Sequence, residues 1–145
     1  MYQTIVCPTD GSFCATRGLD HAIELAKRYD AELHVLYVVQ DTAIPPTVEQ
    51  PSVVDGLTSA GETILDRAAE RARNADFYQL STHLRRGVIH QRIIELADGQ
   101  DADLVVMGAH ARSGSEQIPL GSTTERVLRR RSVPVLAFDS SQHSV

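Results

Sequence analysis

The sequence alternates between short apolar runs and longer segments with helical apolar spacing, and this alternation constrains the fold more than any other feature. Each run is rich in branched apolar residues and too short for a buried helix, or alternates in polarity, so each predicts a strand. The runs are TIVCP (Thr4–Pro8), ELHVLYVV (32–39), YQLSTHLRRG (78–87), ADLVVMG (102–108) and SVPVLAF (132–138). In the third run, one face is expected to carry Tyr78, Leu80, Thr82 and Leu84.

Four segments between these runs have apolar residues three and four positions apart, which predicts helices. The first follows a TDGS turn with Ser12 as its N-cap, and its apolar face is Ala15, Leu19, Ala22, Ala26 and Tyr29. A second stripe runs from Val53 to about Asn74, after a proline-bearing connection at 40–52 that should lack regular structure. The third stops at Gly99 and places on one side Val88, Ile89, Ile93, Leu96 and Ala97. The fourth opens at Ser122 with capping-box spacing to Glu125.

Strands separated by helices of this length form parallel sheets with right-handed crossovers and helices on both faces. The 145 residues therefore predict one α/β domain at 1–139, followed by a frayed C-terminal tail at 140–145. In such sheets ligands bind outside the carboxyl ends of the strands. Two loops with suitable chemistry follow strand ends, PTDGS after the first strand and GAHARSG after the fourth, and together they locate a candidate site.

Composition excludes several classes of function. The formal net charge of −5 and the pI near 5.6 provide no basic surface for nucleic acid, so nucleic acid is not expected as a partner. No apolar run approaches the length of a membrane span, and the N-terminus lacks a secretion signal, which favours a soluble cytoplasmic protein without a membrane partner. Cys7 and Cys14 match neither a redox nor a zinc motif and are interpreted as structural.

The loop that follows the fourth strand contains neither a P-loop nor a dinucleotide-binding fingerprint. It does contain Gly108, Gly114 and then Gly121, which is followed by Ser122 and Thr123 at a predicted helix start. Backbone N–H groups, the two hydroxyls and the helix dipole at such a start suit a phosphate group. The alternative interpretation is an ordinary N-cap with an approach loop, and the spacing alone leaves both open.

These motifs resemble those of the universal stress protein family. Its nucleotide-binding members carry a glycine, two residues, a second glycine, nine residues and Gly-Ser or Gly-Thr after the fourth strand. Here this pattern falls on Gly108, Ala111, Gly121 and Ser122. The segments TIVCPTDGS, AELHVLYVV and GSTTERVLRRRSVPVL resemble the family's first strand and turn, its second strand, and its closing helix and strand. The resemblance covers nearly the whole chain and implies an open, Rossmann-like five-stranded sheet of the adenine nucleotide alpha hydrolase type, with strand order 3-2-1-4-5.

The resemblance also implies a set of adenine nucleotide contacts. Pro8, Thr9 and Asp10 would border the adenosine, with Asp10 near the ribose, and the main chain of Val38 would face the adenine. The ribose and phosphates would be surrounded by Met107, Gly108, Arg112, Gly121, Ser122 and Thr123. His110 lies within the same loop as a candidate donor, and Mg²⁺ could bridge the phosphates, with Asp10 as the one carboxylate placed near the site.

One residue departs from the family pattern. Ala111 stands where the nucleotide-binding members have their second glycine. If that position needs a positive φ, its methyl group costs on the order of 1 kcal/mol, which weakens binding about fivefold to tenfold. Arg112 offsets this loss if it contacts a phosphate through two hydrogen bonds, although a solvated loop charge explains it equally well.

Three functions follow from these observations. The first is a homodimeric regulatory module in the stress response that binds ATP or AMP, which needs no catalytic residue. The second is a stress-protein dimer that works through protein contacts without nucleotide, which Ala111 favours. The third is a slow ATP hydrolase or nucleotidyl transferase. The absence of GxSxG and of a clear base or metal cluster disfavours it, so no catalytic residue is assigned.

The resemblance further implies a homodimer paired through the C-terminal strand, Val133 to Phe138. An apolar edge strand is exposed unless it finds a partner. Replacing Val135 with Lys should therefore shift the protein toward monomer, because the substitution places a charge in the proposed interface. Light scattering would measure the shift, and an unchanged dimer would refute this interface.

Overall fold

The computed structural model describes residues 1–40, 51–109, 122–130 and 133–138, along which strands and helices alternate. The strands are β1 (Thr4–Pro8), β2 (Glu32–Gln40), β3 (Leu80–Gly87), β4 (Leu104–Gly108) and β5 (Val135–Phe138). The helices are α1 (Phe13–Tyr29), α2 (Pro51–Asn74), α3 (Ile89–Gly99) and α4 (Ser122–Arg130). None of the helices in these ranges is long and apolar enough to cross a membrane.

The strands form one parallel sheet in the order β3-β2-β1-β4-β5, as predicted. β1 is the central strand, and Ile5, Val6 and Cys7 within it are fully buried. Its pairing with β2 runs from Thr4 opposite Glu32 to Pro8 opposite Leu36. Because both faces of a central parallel strand are covered by helices, its sequence is apolar at successive positions rather than at alternate ones.

Each face of the sheet is covered by two helices. α1 and α2 bury one face, where Leu19, Ile23 and Leu65 pack against Leu33 and Val35 of β2. α3 and α4 cover the other face, where the packed side chains include Ile93, Leu96, Val127, Val6, Leu36 and Val105. The two clusters lie on opposite sides of β1, so this strand contributes to both cores.

The ends of α1 follow from local chemistry. Ser12 caps its N-terminus, since the Ser12 hydroxyl accepts the Ala15 N–H at 3.1 Å, as predicted. Its C-terminus is closed by Asp30 in the left-handed conformation, with φ +54°. Tyr29, predicted on the buried face, is 42% exposed and instead packs edge-to-face against Tyr2.

Three other predictions required correction. β3 begins at Leu80, which pairs with Leu33, the second residue of β2. No described strand lies opposite Tyr78, so its side chain is 71% exposed. Val88 precedes α3 as its N-cap in extended conformation and is 40% exposed, so it does not share the apolar helix face. α2 begins at Pro51, earlier than predicted, since proline suits the first helical position. Residues 41–50 of the expected irregular connection lie outside the described ranges.

The approach of α2 to the sheet at Gly61 provides a test of the packing. A methyl group on Gly61 would lie 2.6 Å from Tyr37 Cδ1 and 2.8 Å from Leu84 Cδ1, whereas one on Gly56 meets no described atom within 4 Å. Gly61→Ala should lower the free energy of unfolding by about 1–3 kcal/mol through overpacking. Gly56→Ala, the matched control in the same helix, should raise it by about 0.5–1 kcal/mol. Urea denaturation measures both, and a stabilised Gly61→Ala variant would contradict this packing.

Candidate functional site

The turn after β1 is shaped by its own polar side chains. The Thr9 hydroxyl accepts the Gly11 N–H at 3.1 Å, and the Asp10 carboxylate accepts the Ser12 N–H at 2.9 Å. Gly11 adopts φ +80°, a conformation that other residues rarely take. This turn carries the chain out of the sheet directly after Pro8 and into the N-terminus of α1.

At the carboxyl end of the central strand, open α/β sheets leave a crevice for ligands. The paired residues of β1 and β4 are Ile5 with Leu104 and Val6 with Val105, while β4 itself continues to Gly108. Pro8 has no N–H to donate, which limits further pairing at this point. β1 and β4 lie where the strand order reverses direction, which is the place where open α/β sheets bind ligands.

The other side of this space is bordered by β2. The main-chain groups of alternate strand residues point the same way. Glu32 donates its N–H to Gln3, and the Leu36 carbonyl accepts the Thr9 N–H at 2.8 Å, so both face β1. The N–H and carbonyl of Val38 therefore face the same side, beyond Leu36, the last β2 residue with a β1 partner. A planar ring with donor and acceptor atoms along one edge would match this pair of groups.

Gly108 ends β4 in close contact with α1. A Cβ atom at Gly108 would lie 3.0 Å from the Ala15 nitrogen and 3.1 Å from the Cys14 sulfur. The Cys14 thiol in turn contacts the carbonyl of Phe138 in β5. The close packing of α1 against the sheet therefore explains a glycine at this position, whether or not a ligand binds nearby.

Thr124, which the sequence analysis did not single out, joins two elements of the candidate site. Its side chain is 2% exposed, and its hydroxyl donates to the Gly108 carbonyl at 3.0 Å, which joins the first turn of α4 to the end of β4. The two residues are sixteen positions apart, so no local pattern indicates the contact. The one available signal was a threonine at a helical position that faces the sheet.

The structure brings half of the predicted site residues to one edge of the sheet: Pro8, Thr9, Asp10, Val38, Met107 and Gly108. Met107 is 4% exposed, with its side chain in the core, so only its main chain can contribute to a site. Ser122 and Thr123 form the first turn of α4. Four predicted site residues lie outside the described residues: His110, Ala111, Arg112 and Gly121.

A separate polar cluster joins β2 to β3. His34, which is 6% exposed, bonds through Nδ1 to His83 Nε2 at 2.9 Å and through Nε2 to the Glu32 carboxylate at 3.2 Å. The pKa of His83 is lowered by burial, and the neighbouring His34 and Arg85 lower it further. Within the described ranges, no group of three or more His, Cys, Asp or Glu side chains is placed to hold a metal ion.

Cys7 and Cys14 are both buried and free, in agreement with their structural interpretation. Burial raises the pKa of the Cys7 thiol to about 12, with a smaller contribution from the charge of Asp20. A thiol of such high pKa is neutral in the folded protein and is a poor nucleophile.

Comparison with known proteins identifies a matching family and relatives of this chain. The model of the Universal stress protein family matches residues 1–139. Universal stress protein MJ0531 of Methanocaldococcus jannaschii is 35% identical over 142 residues, a match that covers 94% of this chain and 81% of the relative.

Solved structures share the fold over nearly their whole length. Hypothetical protein MJ0577 of Methanocaldococcus jannaschii superposes with a TM-score of 0.89 at 24% identity and covers 99% of both chains, which shows the common fold. A universal stress protein solved in complex with cAMP superposes with a TM-score of 0.75 at 30% identity and covers 97% of this chain and 99% of its own.

The raised pKa of Cys7 predicts a pH-dependent stability. Burial holds the folded pKa of this thiol above its ordinary value of 9.0, so the stabilising effect is complete below pH 9 and is lost as the pH rises toward about 12. Between pH 8 and 10 the free energy of unfolding should fall by about 1.4 kcal/mol more in the wild type than in Cys7→Ala, which has no thiol to ionise. Urea denaturation at several pH values measures this difference, and parallel profiles for the two proteins would contradict it.

Proposed function

Because the chain belongs to the universal stress protein family, we propose that it is a regulatory module that binds an adenine nucleotide, ATP or AMP. The nucleotide would occupy the crevice beyond the end of β1, between β2 and β4. The main support for this proposal is that β1 ends before β2 and β4 do. Main-chain groups of these two neighbouring strands therefore face the same space. Such a pocket needs no catalytic side chain, and the module would act through a conformation or a partner surface that the nucleotide stabilises.

The adenine would lie against β2. The N–H and carbonyl of Val38 face the crevice beyond Leu36, and one donor beside one acceptor complements the edge of an adenine ring. Pro8 and Thr9 would lie under the base, since Pro8 is the last residue of β1 and Thr9 follows it beside Leu36. Asp10 would border the ribose, and a carboxylate there can accept hydrogen bonds from the ribose hydroxyls.

The phosphates would lie at the start of α4. The N-terminus of this helix is held at the end of β4 by the Thr124 to Gly108 hydrogen bond. Free N–H groups and the positive end of the helix dipole favour an anion there. Ser122, Thr123 and the loop residues His110, Arg112 and Gly121 would complete the phosphate contacts. Mg²⁺ would bind through the phosphates, with Asp10 as a carboxylate at the same edge of the sheet.

The cAMP complex of a universal stress protein supports an adenine nucleotide as the ligand class. That protein is 30% identical to this chain and shares its fold over 97% of the length. An adenine ring, a ribose and a phosphate are common to cAMP, AMP and ATP. We propose ATP or AMP for this chain, and the choice between them rests on the phosphate loop.

We further propose that the chain forms a homodimer through β5 and that its functional unit is the domain at 1–139. β5 is an edge strand that pairs with β4 alone among the described strands, and its Val135 and Leu136 are half-buried. An edge strand with apolar side chains is suited to pairing with a second copy. The alternative function, a dimer that works through protein contacts without nucleotide, is favoured by Ala111, since its methyl group stands where binding members have glycine.

Calorimetric titration of ATP and AMP, with and without Mg²⁺, tests the proposed function. The wild type should bind, and Ala111→Gly should bind about fivefold to tenfold more tightly, because the methyl group no longer restricts the loop. Ala60→Gly removes an exposed alanine methyl in α2 and serves as the matched control with wild-type affinity. Binding by Ala111→Gly without binding by the wild type would overturn the proposal, whereas tight binding by both would exclude the nucleotide-free alternative.

A further inference from the structure

Two described side chains of α4 are buried where this helix packs on the rest of the protein. Among the α4 residues whose side chains the structure describes, Thr124 and Val127 are buried, each 2% exposed, while Glu125, Arg126 and Arg129 are exposed. Val127 packs in the apolar cluster with Met107 and Val105. Apolar contacts are non-directional. Val127 therefore holds α4 to the sheet without fixing the rotation of the helix or its position along the helix axis.

The Thr124 hydrogen bond is directional, unlike the packing of Val127, so it can fix the orientation of α4 on the sheet. Its hydroxyl donates to the Gly108 carbonyl at 3.0 Å, and a hydrogen bond tolerates only a narrow range of distance and angle. Gly108 is itself held in the sheet by its pairing with Phe138, and α1 lies so close that a Cβ atom would be 3.0 Å from the Ala15 nitrogen. The first turn of α4 is therefore held to the same residue against which the first turn of α1 packs.

We infer that Thr124 is a positioning residue for phosphate recognition, which sets the N-terminal amide groups of α4 against the carboxyl end of β4. The inference rests on the proposed nucleotide function. Thr124 would contact no ligand atom, since its hydroxyl is buried and engaged with Gly108. Its effect reaches the ligand through the placement of the backbone N–H groups, whose attraction for an anion falls off within the first turn of a helix.

This role predicts a selective loss of affinity. Thr124→Val keeps the size and shape of the side chain but removes the hydroxyl, so α4 can shift along the sheet. Affinity for AMP should fall about tenfold, because the helix N-terminus no longer meets the phosphate in register. Affinity for adenosine, which has no phosphate, should stay as in the wild type. Thr124→Ser retains the hydroxyl and should restore AMP binding.

A matched control lies in α2. The Thr63 hydroxyl also donates to a main-chain carbonyl, that of Ser59 at 3.0 Å, but within a helix and exposed to solvent. Thr63→Val should leave the affinities for AMP and adenosine unchanged. Calorimetric titration of AMP and of adenosine into the four proteins would give the comparison. Equal loss of both ligands in Thr124→Val, or wild-type binding of AMP, would overturn the inference.

Hydrogen exchange separates this inference from the proposed function. In the ligand-free protein, Thr124→Val should accelerate amide exchange in α4 while α3 keeps its protection, because a loosened helix opens more often. Unchanged exchange in α4 would refute the positioning role whether or not nucleotide binds. If the wild type bound neither AMP nor adenosine, the proposed function would fail and the phosphate-positioning role would fail with it, while the exchange data would still report whether Thr124 holds α4.

Discussion

The parallel pairing of the central strand β1 is the constraint on which the rest of the molecule depends. Ile5, Val6 and Cys7 are fully buried, and their side chains alternate between two apolar clusters on opposite faces of the sheet. A parallel strand with two neighbours needs crossover helices on both faces, which fixes the layered architecture. The same strand ends at Pro8, ahead of β2, so no residue of β1 pairs with β2 beyond Leu36.

In the part of the proposed site that the structure describes, side chains of the residues after β1 and in β4 are engaged in contacts within the protein. The Thr9 and Asp10 side chains stabilise the turn at Gly11, and the Met107 side chain is buried in the core. Among the described residues, the proposed ligand would contact the main-chain atoms of Val38 and the N-terminal turn of α4. Backbone groups held in place by a sheet can recognise a ligand without moving, as the proposed binding module requires.

Much of this arrangement was predictable from the sequence. The strand and helix order follows from apolar periodicity, and Ser12 was identified as an N-cap from its position before the α1 stripe. Family resemblance implied the strand order, which the structure has, and an adenine nucleotide as the ligand class, which stays a proposal. The errors at Tyr78 and Val88 have one cause, since each residue fits the local pattern but lies just outside the element to which it was assigned. Local pattern does not report where a neighbouring strand begins.

The sequence by itself determined the α/β class, the approximate positions of the elements and the turn chemistry at Gly11, because these depend on spacing and on the conformational preference of single residues. Only the tertiary structure decided which distant groups meet. The Thr124 hydroxyl reaches Gly108 across sixteen positions, His34 meets His83 across forty-nine, and Cys14 approaches Phe138 from the opposite end of the chain. Such contacts depend on how helices and strands pack in three dimensions. Periodicity along the chain does not show which residues far apart in sequence come together.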